Sequence, residues 1–335
     1  MEQQQLNEQS LQSCGAQQKL RQLCVDRAHG KPLQYIMGTE YFGDLEIACE
    51  PGVLIPRQET AASVTFLIER LLRGKKSQRL PSHLRILDLC TGTGCIPLLA
   101  HYELDQRRKH GQSPQTLEVV GVDISSQALK LANRNLHRLV GAGYFCPNPS
   151  LHFLQADILA SNSDAELNHL PSLDRALHHC ESTTSNPCNK RPWDILISNP
   201  PYISPQAFNN TTQRSVKRYE PRLALVPPLL AKDNSKIDQG DIFYPRLLEI
   251  AQQVKAKIVL FEVADLEQAQ RVALMAKAQG IWDGVEIWRD YPGQNDHDAE
   301  IGRDVVLRDV KVLGTGNGRS VFAYRGDARD WLCTS

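Results

Sequence analysis

The 335-residue chain is predicted to be an α/β protein built on a doubly wound, mostly parallel sheet. Three observations point there. From residue 85 onward, strand-like and helix-like segments alternate. The strand-like segments are continuous aliphatic runs such as "RILDLC" and "DILIS", as expected of strands covered on both faces. The first of them enters a glycine-bearing turn that opens a helix, "DLCTGTGC". Composition agrees: 41% of residues are apolar and 23% charged, enough for a packed core.

In chain order, residues 1–32 are Gln-rich, with Leu6, Leu11, Leu20 and Leu23 loosely spaced for one or two short helices. Residues 33–58 read as a β-hairpin linker, because aromatic and β-branched residues alternate with polar ones between Gly38, Gly43 and Gly52. Residues 59–335 form the main domain. "ETAASVTFLIERLLR" (59–73) has helical apolar spacing. Strands follow at 85–90, 117–125, 151–157, 193–199, 257–263, 284–291 and 320–326, and helices at 94–104, 126–139, 244–254 and 266–279. Segments 105–116, 160–192 and 292–318 read as inserted loops, the middle one polar and mobile.

Charge and cysteine usage narrow the class. Lys plus Arg and Asp plus Glu both number 38, so the chain is not an obvious electrostatic nucleic-acid binder, although a local basic patch would not show in this sum. The nine cysteines are scattered, without a Cys-x-x-Cys pair, which favours a reducing environment over a disulfide framework. No 18-residue apolar run is present, so no membrane span is expected. The N-terminus lacks both a secretory apolar core and the Arg-rich character of a transit peptide. His178, His179, Cys180 and Cys188 fit no zinc spacing and read, like His297, as solvated residues; no metal is expected.

Ligands of doubly wound sheets bind beyond the carboxyl ends of the strands. That places Asp88 and the turn Thr91-Gly92-Thr93-Gly94 at a ligand site, where glycines allow close backbone approach. No Lys follows as in a triphosphate loop. The next strand ends in "VVGVD", so Asp123 stands at its tip, suited to grip two ribose hydroxyls. Asp157 ends the third strand and reads either as an acceptor for an exocyclic amine or as an exposed strand-end acid.

The fourth strand ends "DILISNPPYIS". A planar NH2 group on an sp2 carbon is a poor nucleophile, because its lone pair is delocalised. Two acceptors, one per N–H, can hold it with the lone pair turned toward an incoming methyl carbon. Asn199 offers a side-chain carbonyl and Pro200 a backbone carbonyl. The two prolines stiffen the loop and remove competing donors. Tyr202 offers a flat apolar wall. A sulfonium methyl donor suits such a site, since positioning supplies much of the acceleration.

Taken together, "DLCTGTGC", "GVDIS", "LISNPPYI" and "RYEPRLAL", with "QYIMGTEYFG" and "GVLIPRQET", resemble the HemK/PrmC-type protein-(glutamine-N5) methyltransferases over about residues 31–326. The resemblance implies a Rossmann-like class I fold using S-adenosylmethionine, and methylation of the Gln in the Gly-Gly-Gln loop of a peptide-chain release factor. It also implies that Asp88, Cys90, Thr91, Gly92, Thr93, Gly94, Asp123, Ile124, Asp157, Ile158 and Asn199 bind the cofactor. Asn199, Pro200, Pro201 and Tyr202, with Arg57 and Glu59, would hold the substrate, and Glu220 would order the loop beyond Tyr202. A monomer with a mitochondrial home is implied, without direct nucleic-acid binding. Departures are Cys90 for a usual Gly, Gln58 for a Pro, Ala264 for a common Gly, and an N-terminal segment far shorter than the family's, so a truncated start is one expectation. Two other readings remain: an adenine amino-methyltransferase of DNA or RNA using the same Asn-Pro-Pro-Tyr clamp, and a cofactor-binding scaffold without activity.

Overall fold

The computed structural model describes residues 2–72, 80–108, 114–160, 170–183, 192–229, 238–294, 305–307 and 309–332. The chain begins with one long helix, α1 (Glu2–Ala28), in place of two short ones. A five-residue helix, α2 (Leu33–Met37), then occupies the start of the predicted hairpin linker. Gly38 closes α2 in the left-handed conformation, its N–H donating to the Gln34 carbonyl. Five residues are too few to show a helical period, which is why the segment reads as strand. The hairpin itself is β1 (Thr39–Phe42) and β2 (Leu45–Ala48), paired antiparallel as a sheet of its own.

Helix α3 (Gln58–Leu72) leads into the alternating region: β3 (His83–Leu89), α4 (Cys95–Arg108), β4 (Thr116–Asp123), α5 (Ser126–Gly141) and β5 (Leu151–Gln155). After α6 (Leu173–Thr183) and β6 (Ile195–Ser198) come two short helices, α7 (Pro205–Asn210) and α8 (Arg214–Tyr219). The chain continues through α9 (Phe243–Gln253), β7 (Ile258–Glu262), α10 (Leu266–Ala278), β8 (Gly284–Tyr291), β9 (Val305–Leu307), β10 (Val310–Leu313), β11 (Thr315–Tyr324) and α11 (Ala328–Trp331).

Nine strands form one sheet in the order β5-β4-β3-β6-β7-β11-β8-β10-β9. The first five run parallel, and β11 lies antiparallel between β7 and β8. The continuous apolar runs have the expected cause. Ile86, Ile195, Ile197, Ile258 and Leu260 pack on one face with α3 and α4, while Leu87, Leu196, Val259 and Phe261 pack on the other with α9 and α10. The chain leaves β3 outward to β4 and β5, then returns to β6 on its opposite side. That reversal opens a crevice at the carboxyl ends of β3 and β6.

Two predicted loops hold regular structure. Within 160–192, α6 buries Leu173, Ala176 and Leu177 against the sheet, and Asp157 bridges Ser172. The polar flanks hid three apolar residues at helical spacing. His178 and His179 are exposed on this helix and Cys180 is half-buried; Cys188 and His297 lie outside the described residues. Within 292–318, β9 and β10 extend the sheet past β8, and β11 begins at Thr315, before the predicted start. Gly316 and Gly318 accompany irregular pairing between β11 and β8.

Candidate active site

Beyond the carboxyl ends of the parallel strands lies a cavity of about 590 Å³. Its floor is the turn after β3. Cys90 takes a left-handed φ of 63°, Gly92 one of 55° and Gly94 one of 78°. For Cys90, that conformation costs about 1 kcal/mol that a glycine would avoid. The turn is pinned from several sides. Thr91 N–H donates to the Val122 carbonyl at 2.9 Å, Gly92 N–H to Asp123 Oδ2 at 2.8 Å, and Gly94 N–H to the Thr91 carbonyl at 2.9 Å. The fully buried Asn135 on α5 donates to the Thr93 carbonyl at 3.0 Å and accepts from Ala48 N–H at 2.8 Å, so the hairpin is stapled to the turn. Asn135 is a contributor that sequence reasoning missed, since nothing in "LANRNLHRL" separates it from the exposed Asn133.

The two glycines differ in role. A Cβ on Gly92 would meet nothing within 4 Å, so the backbone there faces open space. A Cβ on Gly94 would stand 2.8 Å from the Phe153 ring and 3.0 Å from Ala132, so Gly94 lets α4 and the turn close onto β5 rather than lining the cavity.

Of the predicted cofactor residues, Cys90, Thr91, Gly92, Thr93, Asp123, Ile124, Asp157, Ile158 and Asn199 line one cavity; Asp88 and Gly94 do not. Asp123 is held by two N–H groups, Gly92 on Oδ2 and Ser125 on Oδ1, both at 2.8 Å. Ser125 caps α5, accepting from Ala128 N–H. Burial raises the Asp123 pKa, and the backbone N–H groups of Ser125, Gly92 and Ile124 pull the other way. Asp157 accepts from Leu159 N–H at 2.9 Å, which aims a strand-end acid at the cavity.

Asp88 is wholly buried, and neither carboxylate oxygen has a hydrogen-bond partner; the Thr91 and Thr93 hydroxyls are also buried without one. Burial pushes the Asp88 pKa well above the usual carboxylate value, the nearby Thr91 hydroxyl, though outside hydrogen-bond geometry, opposes the rise, and the Asp123 charge adds to it. Burial likewise keeps the Cys90 thiol neutral.

On the substrate side, Asn199, Pro201 and Arg57 line the same cavity, whereas Pro200, Tyr202 and Glu59 do not. Arg57 pairs with Glu220 rather than with Glu59, at 2.8 and 2.9 Å to the two carboxylate oxygens. Glu220 also accepts from Ile55 N–H at 3.2 Å and is itself buried. Burial works against the Arg57 charge, but the Glu220 carboxylate outweighs it and the pKa rises. This pair joins "LIPR" to "YEP", so residues 163 apart in sequence are tied together beside the cavity. Tyr202 donates its hydroxyl to Glu262 at 3.1 Å, and Thr60 donates to the other Glu262 oxygen. Burial raises the Glu262 pKa, opposed by the Thr60 hydroxyl, the Arg319 charge and the Tyr202 hydroxyl. Among the described residues no group of three potential metal ligands exists, and no helix is long and apolar enough to cross a membrane.

A doubly wound sheet with a glycine turn, a carboxylate at the tip of the next strand and an Asn-Pro-Pro-Tyr corner whose Asn199 and Pro201 line the same cavity defines a class I S-adenosylmethionine-dependent methyltransferase. Comparison with curated proteins narrows the class. The probable MRF1 mitochondrial N(5)-glutamine methyltransferase mtq1 of Schizosaccharomyces pombe is 33% identical over 267 residues, covering 77% of this chain and 72% of that one. The mitochondrial MRF1 N(5)-glutamine methyltransferase of Saccharomyces cerevisiae is 36% identical over 212 residues, 63% of this chain and 54% of that one. The release factor glutamine methyltransferase of Chlorobaculum tepidum is 36% identical over 210 residues, 62% and 57% respectively. The chain thus spans a little over half the length of the last two. No protein-family model matches. Among solved structures, the human methyltransferase 10 domain containing protein aligns over 91% of this chain and 97% of that one, at a TM-score of 0.46 and 12% identity. The chain belongs to the release factor N(5)-glutamine methyltransferase family. The adenine reading is not favoured, because these relatives are named for glutamine.

Proposed function

We propose that this chain transfers a methyl group from S-adenosylmethionine to the side-chain amide nitrogen of the glutamine in the Gly-Gly-Gln loop of a peptide-chain release factor. The observation that carries the reading is that Asn199, Asp123 and the Gly92 turn open onto one cavity, contributed by three adjacent parallel strands. That cavity falls within the roughly 300–1,000 Å³ typical of small-ligand sites.

The residues present fit the cofactor. Open space over Gly92 admits a ligand against the backbone. The Thr91 and Thr93 hydroxyls, partnerless and on residues that line the cavity, leave polar capacity in the turn for the amino-acid end. Asp123 retains lone pairs for a ribose diol, and Asp157 with Ile158 suits an adenine edge and face. When bound, the cofactor supplies an electrophilic methyl group on a sulfonium, with a neutral thioether as leaving group. Asn199 Oδ1 and the Pro200 carbonyl each accept one N–H of the substrate amide, which immobilises it and turns its lone pair toward the methyl carbon. The methylated nitrogen then sheds one proton to water, which restores the neutral amide. Arg57 with Glu220 forms part of the substrate-side wall.

The relatives named as mitochondrial support a mitochondrial home. We read the chain as a monomer with a helical segment at 1–32, a linker at 33–58 and a catalytic domain at 59–335, acting on protein rather than nucleic acid.

The test is to incubate the protein with methyl-labelled cofactor and a Gly-Gly-Gln release factor, then map the label by mass spectrometry. Label is expected on the glutamine side chain, and Asn199→Ala is expected to lower the rate by at least about a hundredfold, the scale on which lost positioning acts. Label entering an adenine-containing oligonucleotide instead of the protein would overturn the reading.

A further inference from the structure

Behind the Asn-Pro-Pro-Tyr corner lies a buried polar assembly that the reaction chemistry does not require. Gln268, in the first turn of α10, is 2% exposed. Its Oε1 accepts from Ala264 N–H at 2.7 Å, and the Tyr244 hydroxyl, which donates to the Glu262 carbonyl at 2.9 Å, lies 3.4 Å away. Its Nε2 donates to Asp241 Oδ1 at 2.9 Å and to the Tyr202 carbonyl at 3.3 Å. Both N–H groups and the carbonyl oxygen of this amide are therefore engaged. Asp241, 1% exposed, is in turn gripped by Arg271 at 2.6 and 3.0 Å. At its other end Tyr202 donates its hydroxyl to Glu262. Gly240 packs so closely that a Cβ there would stand 2.7 Å from the Tyr202 carbonyl oxygen.

Tyr202 is thus held at both ends by the end of β7 and the start of α10, two rigid elements. The chain on either side is tied as well: Ser198 donates its hydroxyl to the Leu89 carbonyl at 2.8 Å, and Ile203 N–H donates to the Leu225 carbonyl at 2.9 Å. Asn199 to Pro201 hang between these anchors. Buried amides with every group satisfied are rigid and orientation-specific. An apolar residue of the same size would fill the space but leave the Tyr202 carbonyl and Ala264 N–H without this partner, and Asp241 with Arg271 alone. We infer that Gln268, with Glu262, is a positioning residue for the 199–202 corner, setting where the Asn199 and Pro200 acceptors stand relative to the cofactor. The inference rests on the proposed substrate reading for its kinetic consequence, and on geometry alone for its mechanical one.

The test uses the full chain and two readouts. In hydrogen–deuterium exchange, Gln268→Leu is expected to speed exchange of the amides at 202–204 by about tenfold or more while β3 and β4 stay as in the parent. In methyl transfer to a Gly-Gly-Gln release factor, it is expected to lower kcat by about a hundredfold, as misplacement of about 1 Å does. The Kd for S-adenosylhomocysteine should stay within about twofold of the parent value, because all its predicted residues except Asn199 sit on other elements. Should Gln268→Leu not fold, Tyr202→Phe deletes one hydroxyl only and is expected to show the same two changes at smaller amplitude. Glu262→Gln keeps an acceptor for that hydroxyl and is expected to retain parental exchange and kcat. Unchanged exchange at 202–204, or cofactor affinity falling in step with kcat, would overturn the inference. Parental methyl transfer in the same assay reports separately on the substrate reading, and the exchange readout stands even where that transfer is absent.

Discussion

Asp88 concentrates the tension between stability and function in one side chain. Its carboxyl is fully buried with no hydrogen-bond partner, and burial raises its pKa well above 3.8. The folded state therefore binds its proton more tightly than the unfolded state does. Between the two pKa values the native protein carries the extra proton, so stability falls as pH rises above about 3.8 and levels off past the folded value. Asp88→Asn removes that titration. The thermal midpoint of the ligand-free variant, compared with the parent at pH 5 to 8, is expected to move in the variant's favour as pH rises; a gap that closes with rising pH would contradict the assignment. Much of the residue-level site was legible. Asp123 stood out as a carboxylate at the tip of a strand, and Asn199 as an amide beside two prolines. Asn135, Gln268 and Glu262 were not legible, because each sits in an ordinary helix or strand context and acquires its role from partners at a sequence distance of 42 to 202 residues, the largest being Thr60 to Glu262.

At the scale of elements, the two loops beside the cavity are coupled by Glu220. It is buried, accepts from Ile55 N–H and pairs with Arg57. Glu220→Ala leaves a half-buried guanidinium and a backbone N–H without their acceptor. It is expected to cost about 2 kcal/mol, less than a fully buried pair because the Arg57 side chain is 33% exposed. Denaturant unfolding measures that loss, and substrate KM is expected to rise more than the Kd for S-adenosylhomocysteine. Parallel strands were the most readable elements, since burial on both faces writes an unbroken apolar run. The helix Leu33–Met37 and the strands Val305–Leu307 and Val310–Leu313 were not. They are too short for a period to repeat, and form because a neighbour completes their hydrogen bonds or covers their apolar side.

For the molecule as a whole, the cavity exists only where the chain reverses direction across β3, so ligand and fold stabilise each other. S-adenosylhomocysteine at about a hundred times its Kd is expected to add about 2.7 kcal/mol to the stability of the folded state. In a chain of this length that corresponds to a rise of about 5 °C in thermal midpoint. Asp123→Ala, which removes the carboxylate from the cavity wall, is expected to abolish most of that shift at the same ligand concentration. An equal shift in both proteins would show that the ligand binds elsewhere.

Local pattern was enough to specify the alternation of strands and helices, the glycine turn, the strand-tip acids and the proline-stiffened corner. These are written in neighbouring residues, by hydrophobic period and by backbone restriction. Packing in three dimensions was needed to pair Arg57 with Glu220 rather than Glu59, to send Gly94 toward Phe153, and to seat Tyr202 between Glu262 and Gln268. The reason is physical: a buried charge or amide takes whichever partner the fold brings within about 3 Å, and that proximity is set by the crossing of distant strands.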